Sequence, residues 1–407
     1  MKSTADVVII GGGCMGASVA YHLSRLGIND VVLVEREKML ATGSTGRNAG
    51  GVRHQFSNEA NIKLSIESIR VLERFADLVG HPIDFHQDGY LFLLSTPASV
   101  DTFRANVTLQ RRLGVDVQWL EAADASTLAQ GLDTTGVIGA TFCQRDGIAD
   151  PNGVTMGFAK AAQAAGATVE RDTEVTGIRV AAGRVAAVDT TRGTIDTRVV
   201  VNAAGPHARH VGAMAGVDVP VQPFRRHIFI AQPPDGRRTT NHEPRTTNEP
   251  RTKNQEPHPW TVPDTHVMVI DFESTFYFHR EGAGVLFGMG DPTEASTFDL
   301  TVQWDFLPQV IDVAVKRLPA LAEASVSHAW AGLYEMTPDA NPIVGEAASV
   351  AGLFLINGFS GHGFQHSPAA GRILADVIAG RDPQFDLTPF TLERFARAGA
   401  GGERYVV

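Results

Sequence analysis

The feature that most constrains the fold lies in residues 5–35. The β-branched apolar run DVVII is followed by GGGCMG, by the helical pattern ASVAYHLSRLG and by a second apolar run, VVLVE. Short runs that are wholly apolar are typical of parallel strands buried on both faces. Gly27 is placed to end the helix. We therefore predict a βαβ unit, and with it a parallel sheet covered by helices.

A G-x-G-x-x-G pattern, made by Gly11, Gly13 and Gly16, lies between the first strand and the helix. The first glycine permits a tight turn, the second lets the backbone approach a pyrophosphate, and the third lets helix and strand pack closely. The helix N-terminus then offers free N–H groups to the phosphates. Glu35 is placed to accept hydrogen bonds from ribose hydroxyls, which argues against a 2′-phosphate. The pattern predicts a dinucleotide site and leaves FAD and NAD open.

Bulk properties exclude several classes of protein. A chain of 407 residues exceeds the size at which single cores usually split, so we expect two domains. A net charge of −10 argues against nucleic acid as a partner. Cys14 and Cys143 are too few for a disulfide framework, and Cys14 is expected to have no redox role. No apolar stretch has the length of a signal peptide or a transmembrane segment, so we expect a cytoplasmic protein.

The rest of the chain predicts a discontinuous layout. The patterns FHQDGYLFLLS and STFYFHREGAGVLFGMG alternate or are aromatic, with turn glycines, as in antiparallel sheets. The predicted fold class is α/β with an α+β insert, in which a Rossmann-like domain carries a discontinuous antiparallel-sheet substrate domain. The predicted dinucleotide-binding domain comprises 1–80, 147–220 and 326–407, and the predicted substrate-binding domain comprises 81–146 and 221–325.

Residues 238–257 form a near-exact threefold repeat, RTTNHEP RTTNEP RTKNQEP. The repeat has no apolar residue to bury, so we predict a disordered surface insertion over 235–259. Deleting it should leave activity and cofactor content intact.

Four segments together resemble the D-amino acid oxidase / sarcosine oxidase family of FAD enzymes: VVIIGGGCMGASVAYHLSRLG, STGRNAGGVRHQF, GLYEMTPDANPIVG and GFSGHGFQHSPAAGRILAD. The resemblance is greatest to sarcosine oxidases and to the β subunits of heteromeric sarcosine oxidase and proline dehydrogenase. It implies FAD held between two domains, and a small amine substrate that carries a carboxylate. The implied reaction transfers a hydride from the carbon beside the amine to flavin N5, after which the imine hydrolyses.

The resemblance also assigns substrate-binding roles. Arg53 matches the arginine that holds the substrate carboxylate, a task that suits a planar guanidinium. Tyr334 matches a tyrosine that lines the substrate pocket. His54, Tyr334 and His362 are the candidates for a proton acceptor, although an orienting role is expected for each.

Three positions depart from the family pattern. Gly332 replaces the cysteine that binds flavin covalently, so we predict non-covalent FAD. Gln365 replaces a lysine that helps to hold the carboxylate, and contributes a hydrogen bond without charge. Leu286 replaces the lysine that activates oxygen, so we favour a dehydrogenase that passes electrons to a carrier protein or partner subunit over an oxidase.

Cofactor contacts are expected mainly in the fingerprint and in the segments that resemble the family, with Arg36, Val175, Ala204 and Gly205 outside them. Besides Gly11, Gly13, Gly16 and Glu35, these are Cys14, Met15, Arg36, Ser44, Thr45, Arg47, Val175, Ala204, Gly205, Gly332, Gly361, His362, Gly363, Phe364 and Gln365.

The glycine-rich stretch before the last helical pattern contains His362 and His366, whose spacing is compatible with a metal site. No carboxylate or cysteine lies nearby to complete a metal site, so no metal is predicted. Ser367 and Pro368 are instead expected to begin the helix.

Two alternatives to an amine-oxidising flavoenzyme stay open. An NAD-linked dehydrogenase explains the fingerprint but not the C-terminal glycine segment. A non-catalytic flavin-binding subunit or assembly factor of a larger redox complex would retain the fold without turnover.

Overall fold

A computed structural model describes residues 1–234, 260–396 and 402–403 of the chain. The predicted insertion over 235–259 lies outside the described residues. The helices are α1 (Cys14–Arg25), α2 (Glu59–Glu73), α3 (Phe75–Val79), α4 (Pro97–Arg112), α5 (Ala122–Leu128), α6 (Pro151–Ala164), α7 (Ala208–Met214), α8 (Leu307–Arg317) and α9 (Gly363–Ile378). The strands are β1 (Val7–Ile10), β2 (Val31–Val34), β3 (Gly51–Val52), β4 (Phe85–His86), β5 (Tyr90–Leu94), β6 (Gln118–Leu120), β7 (Gly139–Cys143), β8 (Gly147–Ala149), β9 (Thr168–Glu170), β10 (Val175–Ala181), β11 (Arg184–Thr190), β12 (Gly193–Asp196), β13 (Val200–Asn202), β14 (Gln222–Gln232), β15 (Met268–Asp271), β16 (Phe276–Glu281), β17 (Gly284–Met289), β18 (Ser325–Met336), β19 (Ile343–Glu346) and β20 (Leu353–Asn357).

A six-stranded sheet organises the first half of the fold, in the order β19-β20-β13-β1-β2-β9. Its strands run parallel except β19, which pairs antiparallel with β20. Helices α1, α6 and α9 cover one face, and the three-stranded sheet β10-β11-β12 with α7 covers the other. Because both faces are covered, the four residues of β1 and of β2 are all buried. The predicted βαβ unit is confirmed, with Gly27 at φ +83° just beyond α1.

A second, eight-stranded sheet has the order β18-β14-β17-β16-β15-β5-β7-β6. Its pairs are antiparallel except β5 with β15, which come from different segments of the chain. One face packs against α5 and α8 in an apolar core. The other face carries a smaller buried cluster that includes Tyr90, Ile228 and Tyr277. The predicted fold class is confirmed.

Strand β18 lies at the edge of the large sheet, and it pairs with β14 from Gln222↔Met336 to Gln232↔Ser325. The predicted domain boundary at residue 326 therefore falls at the start of a strand of the large sheet. The division into domains otherwise stays a prediction.

The start of α9 differs from prediction. The helix begins at Gly363, so Ser367 and Pro368 lie inside it. Proline has no N–H to donate to the carbonyl four residues earlier, which belongs to Phe364. The hydroxyl of Ser367 donates to that carbonyl instead, at 2.8 Å. The Ser-Pro pair thus continues the helix, where a cap was expected.

No helix among the described residues is long and apolar enough to cross a membrane. The cytoplasmic location stays a prediction.

Candidate active site

A cavity of about 650 Å³ lies where the carboxyl ends of β1 and β2 and the turn after β13 meet the edge strand β18. Crevices at the carboxyl ends of parallel strands are the usual ligand sites of such sheets. Every predicted site residue except Gly16 and His54 lies on its wall, namely Gly11, Gly13, Cys14, Met15, Glu35, Arg36, Ser44, Thr45, Arg47, Arg53, Val175, Ala204, Gly205, Gly332, Tyr334, Gly361, His362, Gly363, Phe364 and Gln365. Their individual roles stay predictions.

The fingerprint glycines are required by close approaches of the backbone. Gly11 has φ +114°, and a Cβ there would lie 2.4 Å from the carbonyl oxygen of Ala203. A Cβ on Gly16 would lie 2.0 Å from the carbonyl oxygen of Gly11, so Gly16 packs helix against strand behind the cavity wall. Gly13 is the N-cap of α1 and supplies no capping side chain. The turn therefore keeps backbone, and not side chains, at this end of the cavity.

The N-terminus of α1 has the donors that a pyrophosphate needs. Thr45 Oγ1 accepts from the N–H of Cys14 at 3.2 Å. The N–H groups of the next two residues have no acceptor within the helix, as at any helix start. Glu35 accepts from the N–H of Gly12 at 2.7 Å and from that of Glu37 at 2.9 Å. This chemistry fits a dinucleotide with free ribose hydroxyls.

Cys14, for which no redox role is expected, is the first residue of α1. Burial raises the pKa of its thiol to about 11. The thiol is therefore protonated at neutral pH, and so it is a poor nucleophile.

Arg53 and Gln365 are joined at the other end of the cavity. Gln365 Oε1 accepts from the backbone N–H of Arg53 at 2.6 Å. This bond fixes the amide orientation, and it leaves Gln365 Nε2 buried without a hydrogen-bond partner on the cavity wall. A buried donor without a partner costs about 1–3 kcal/mol, so this position favours a ligand with an acceptor oxygen.

The guanidinium of Arg53 lies beside this amide. Its Cζ is 4.2 Å from the centroid of the Phe56 ring, and Nη2 is 3.1 Å from His362 Nε2. Burial lowers the pKa of Arg53, and the nearby Tyr90 and Glu403 oppose that shift. An arginine nevertheless remains charged at neutral pH. The cavity thus has a buried cation next to an unpartnered amide donor.

Sequence reasoning missed three further polar residues on this wall, Tyr90, Tyr277 and Arg226. Burial raises the pKa of both phenols, so they are neutral hydrogen-bonding groups. All three lie on strands of the large sheet, in β5, β16 and β14. Their sequence signal is weak, because a tyrosine in an aromatic strand is equally typical of an apolar core.

Glu335 was also missed. It follows Tyr334 in β18, and successive side chains of a strand point to opposite faces. Its Oε2 is buried without a hydrogen-bond partner, and a Cβ on Gly205 would lie 3.1 Å from it. Burial raises the pKa of Glu335 to about 7. Because β18 is an edge strand, the cavity reaches both of its faces.

His54 does not reach the cavity wall. Its Nδ1 lies 2.6 Å from Asp146 Oδ1, and its N–H donates to the same oxygen at 2.8 Å. The other oxygen of Asp146 accepts from Gln55 Nε2 at 3.1 Å. The buried Asp146 therefore ties down the segment that carries Arg53. The side chain of His54 points into this network and not into the cavity, and its role stays a prediction.

The two histidines of the glycine-rich stretch have separate environments. His362 faces Arg53, whereas His366 Nε2 lies 2.9 Å from Ser65 Oγ. Burial and then Arg53 lower the pKa of His366 to about 3, so its ring is neutral. Within the described residues, the His/Cys/Asp/Glu groups with metal-like spacing are His54–Cys143–Asp146 and His86–Asp88–His266. Neither contains His362 or His366.

Comparison with known proteins places this cavity in context. A model of the family described as "FAD dependent oxidoreductase" (DAO) matches residues 6–377. Sarcosine dehydrogenase, mitochondrial, from Homo sapiens is 30% identical over 413 residues, covering 100% of this chain and 43% of that protein. Dimethylglycine dehydrogenase, mitochondrial, from Mus musculus is 29% identical over 421 residues, covering 97% of this chain and 45% of that protein. The chain spans less than half the length of these relatives.

A solved structure agrees over nearly the whole chain. The crystal structure of L-proline dehydrogenase from P. horikoshii matches with a TM-score of 0.85 and 30% identity, covering 98% of this chain and 99% of that chain.

Proposed function

Because the chain belongs to the DAO family of FAD-dependent oxidoreductases, we propose that it oxidises the C–N bond of a small amine that carries a carboxylate. The observation that supports this most is the pairing of Arg53 with Gln365. A buried guanidinium and an unpartnered amide N–H₂ lie side by side on the cavity wall. Together they suit one carboxylate, which accepts hydrogen bonds from both groups.

FAD, when bound, supplies the hydride acceptor that the side chains of the protein lack. The residues that would hold it are the backbone of Gly11 to Gly13, the start of α1, and Glu35. The start of α9 also lies on the cavity wall. Its N-cap residue, His362, makes no capping hydrogen bond to the first turn through its side chain. Two helix N-termini thus offer N–H groups to an anionic or electron-rich ligand.

The substrate end should favour a neutral amine. The substrate must have an unprotonated nitrogen before a hydride leaves the adjacent carbon. Nearby cations lower the pKa of an amine, and both Arg53 and Arg226 lie on this wall. The binding site itself can therefore favour the reactive form, and no dedicated base is needed.

We favour a dehydrogenase over an oxidase. Leu286, in the position where related oxidases carry a lysine, is 4% exposed and belongs to a buried cluster of the large sheet, other members of which line the cavity. With no cation at this position, stabilisation of a superoxide anion would be weaker. Electrons would then pass to a carrier or partner subunit. Gly332, which has no sulfur, supports non-covalent FAD.

The test is anaerobic titration of purified, flavin-loaded protein with sarcosine, proline, glycine, D-amino acids and iminodiacetate, a secondary amine with two carboxylates. Bleaching of the flavin absorbance by at least one carboxylate-bearing amine is expected, followed by slow recovery after mixing with air. Bleaching by none of them would contradict the proposed activity and favour a non-catalytic subunit. Rapid recovery in air would contradict the dehydrogenase assignment alone. Acid precipitation should release the flavin into the supernatant.

A further inference from the structure

Arg226 is a second cation of the substrate end, and a substrate with a single carboxylate gives it no anion to bind. It lies on the cavity wall in β14, directly across from Gly332 of β18. Its Nη1 donates to the carbonyl of Arg225 at 2.9 Å. Its Nε is buried and has no hydrogen-bond partner. Among the described residues, no carboxylate forms an ion pair with it.

The charge of the neighbouring Arg225, unlike that of Arg226, is neutralised within the fold. Arg225 points to the other face of β14, where it pairs with Glu294 at 3.1 Å and with Asp299 at 2.8 Å. Both partners belong to the segment after β17. The fold thus neutralises one of two adjacent guanidinium groups and leaves the other facing a cavity. An unpaired, partly desolvated charge is costly unless a ligand compensates it.

Arg226 and Arg53 act on the same phenol. The Cζ of Arg226 lies 5.1 Å from the ring centroid of Tyr334. Burial raises the pKa of Tyr334, and Arg226 and then Arg53 oppose that rise. Both cations therefore lie within electrostatic range of one side chain in the substrate end.

The acidic residues of the cavity wall lie elsewhere. Glu35, Glu37 and Glu174 are at the dinucleotide end, next to the end of β2 and the start of β10. Glu335 projects from the opposite face of β18. The part of the cavity wall formed by β14 and β15 carries the apolar residues Ile228, Met268 and Ile270. This composition suits a short apolar spacer between two anionic groups.

We propose that Arg226 forms a second anion subsite, so that the substrate is a small secondary amine with two carboxylates, one at Arg53 and Gln365 and the other at Arg226. This inference rests on the proposed function, because it adds a subsite to the same substrate end. A dicarboxylate supplies a counter-ion for each guanidinium. A substrate with one carboxylate leaves Arg226 uncompensated.

Two inert ligands test the subsite without turnover. Methylthioacetate and thiodiacetate carry sulfur in place of the amine nitrogen, and they differ in the second carboxylate. Their dissociation constants for the flavin-loaded protein are measured by calorimetry, with the perturbation of the flavin spectrum as a second readout. A charge-assisted hydrogen bond predicts that thiodiacetate binds roughly ten- to a hundredfold more tightly.

Matched variants assign the effect to Arg226. Arg226→Gln should abolish the preference for thiodiacetate while the affinity for methylthioacetate stays within about twofold, and Arg226→Lys should retain part of the preference. Arg179→Gln removes an exposed arginine of β10, paired with Asp189 outside the cavity, and should leave the preference unchanged. Equal affinity for the two ligands, or a preference that survives in Arg226→Gln, would overturn the proposal.

The two proposals can fail separately. If monocarboxylate amines reduce the flavin and Arg226→Gln binds both thioethers as the wild type does, the subsite is wrong and the activity stands. If thiodiacetate is preferred through Arg226 but no amine reduces the flavin, the subsite stands and the activity is wrong.

Discussion

The substitution Glu335→Gln removes a carboxyl whose proton the fold retains near neutral pH. Glu335 has one buried oxygen with no partner, and burial raises its pKa from 4.5 to about 7. Glutamine keeps the size and polarity of the side chain but does not titrate. The substitution should therefore change how stability depends on pH while it leaves the shape of the cavity wall almost intact.

The sign and size follow from proton linkage. Between pH 4.5 and about 7 the unfolded chain has lost this proton, while the folded protein still holds it. The folded state is therefore stabilised most below pH 4.5, and this contribution is lost as pH rises through about 7. Since one pKa unit corresponds to about 1.4 kcal/mol, the loss for Glu335 amounts to roughly 3 kcal/mol.

The assay is urea denaturation of the flavin-free protein at several pH values from 4 to 8.5. The difference in unfolding free energy between Glu335→Gln and wild type should move by roughly 3 kcal/mol in favour of the variant as pH rises. Glu335→Met, which also cannot titrate, should show the same dependence from a different baseline. A difference that does not vary with pH would refute the reasoning, because Glu335 would then titrate as in the unfolded chain.

Three further changes test the backbone, the amide and the helix. Gly11→Ala should abolish flavin binding, since a Cβ there would lie 2.4 Å from a carbonyl oxygen. Gly27→Ala is the control, because Gly27 also has a positive φ but has open space around it. This variant should keep the flavin, and its free energy of unfolding should fall by about 1 kcal/mol. Gln365→Glu should keep the flavin, because a side-chain oxygen still accepts the backbone N–H of Arg53. The variant should bind methylthioacetate at least about tenfold more weakly in calorimetry, because an anion replaces the unpartnered N–H₂. Ser367→Ala should lower the unfolding free energy by about 1 kcal/mol, and by less in a Pro368→Ala background, where a backbone N–H again reaches the freed carbonyl.

Each of these outcomes has a clear opposite. Flavin retained in Gly11→Ala would show that the turn can relax around a methyl group. Unchanged ligand affinity in Gln365→Glu would place the carboxylate elsewhere. Equal costs of Ser367→Ala with and without Pro368 would show that the serine hydroxyl does not replace the missing hydrogen bond.

The family, the α/β fold class and the cofactor FAD were predictable, and the comparisons confirm them. This part of the sequence is informative because its requirements are local. Gly11 and Gly16 must be glycine because a Cβ there would strike a backbone carbonyl, and the βαβ pattern lies within about thirty residues. Confirmation of FAD also decides the choice between FAD and NAD that the fingerprint left open.

The substrate end was less predictable because its residues come from separate strands. Arg226 reaches the cavity from β14, where it pairs with Gly332, and Tyr277 reaches it from β16, which is separated from β14 by β17. Nothing local distinguishes Arg226 from Arg225, although one meets a cavity and the other a pair of carboxylates. Only the register of β14 decides which of the two faces the ligand.

The other misplacements have local physical causes. Ser367 and Pro368 predict a helix start because both residue types are frequent in the first positions of helices. The structure shows that a serine before a proline can also repair a helix interior. The sequence suggests a site role for His54 through its neighbour Arg53. Its ring meets Asp146 and not the cavity wall, and its role stays a prediction.

The edge position of β18 limits which mutations in this strand can be accepted during evolution. Tyr334 and Glu335 project from opposite faces of this strand, and both side chains line the cavity. The two faces of β18 therefore border different parts of the ligand site. Inserting or deleting a single residue within β18, upstream of this pair, would exchange the phenol and the carboxyl. Variation in length is therefore forbidden in this strand, while point substitutions remain available. New specificities in this scaffold should arise by exchanging side chains along β18, and by changes of length only in the loops beyond its ends.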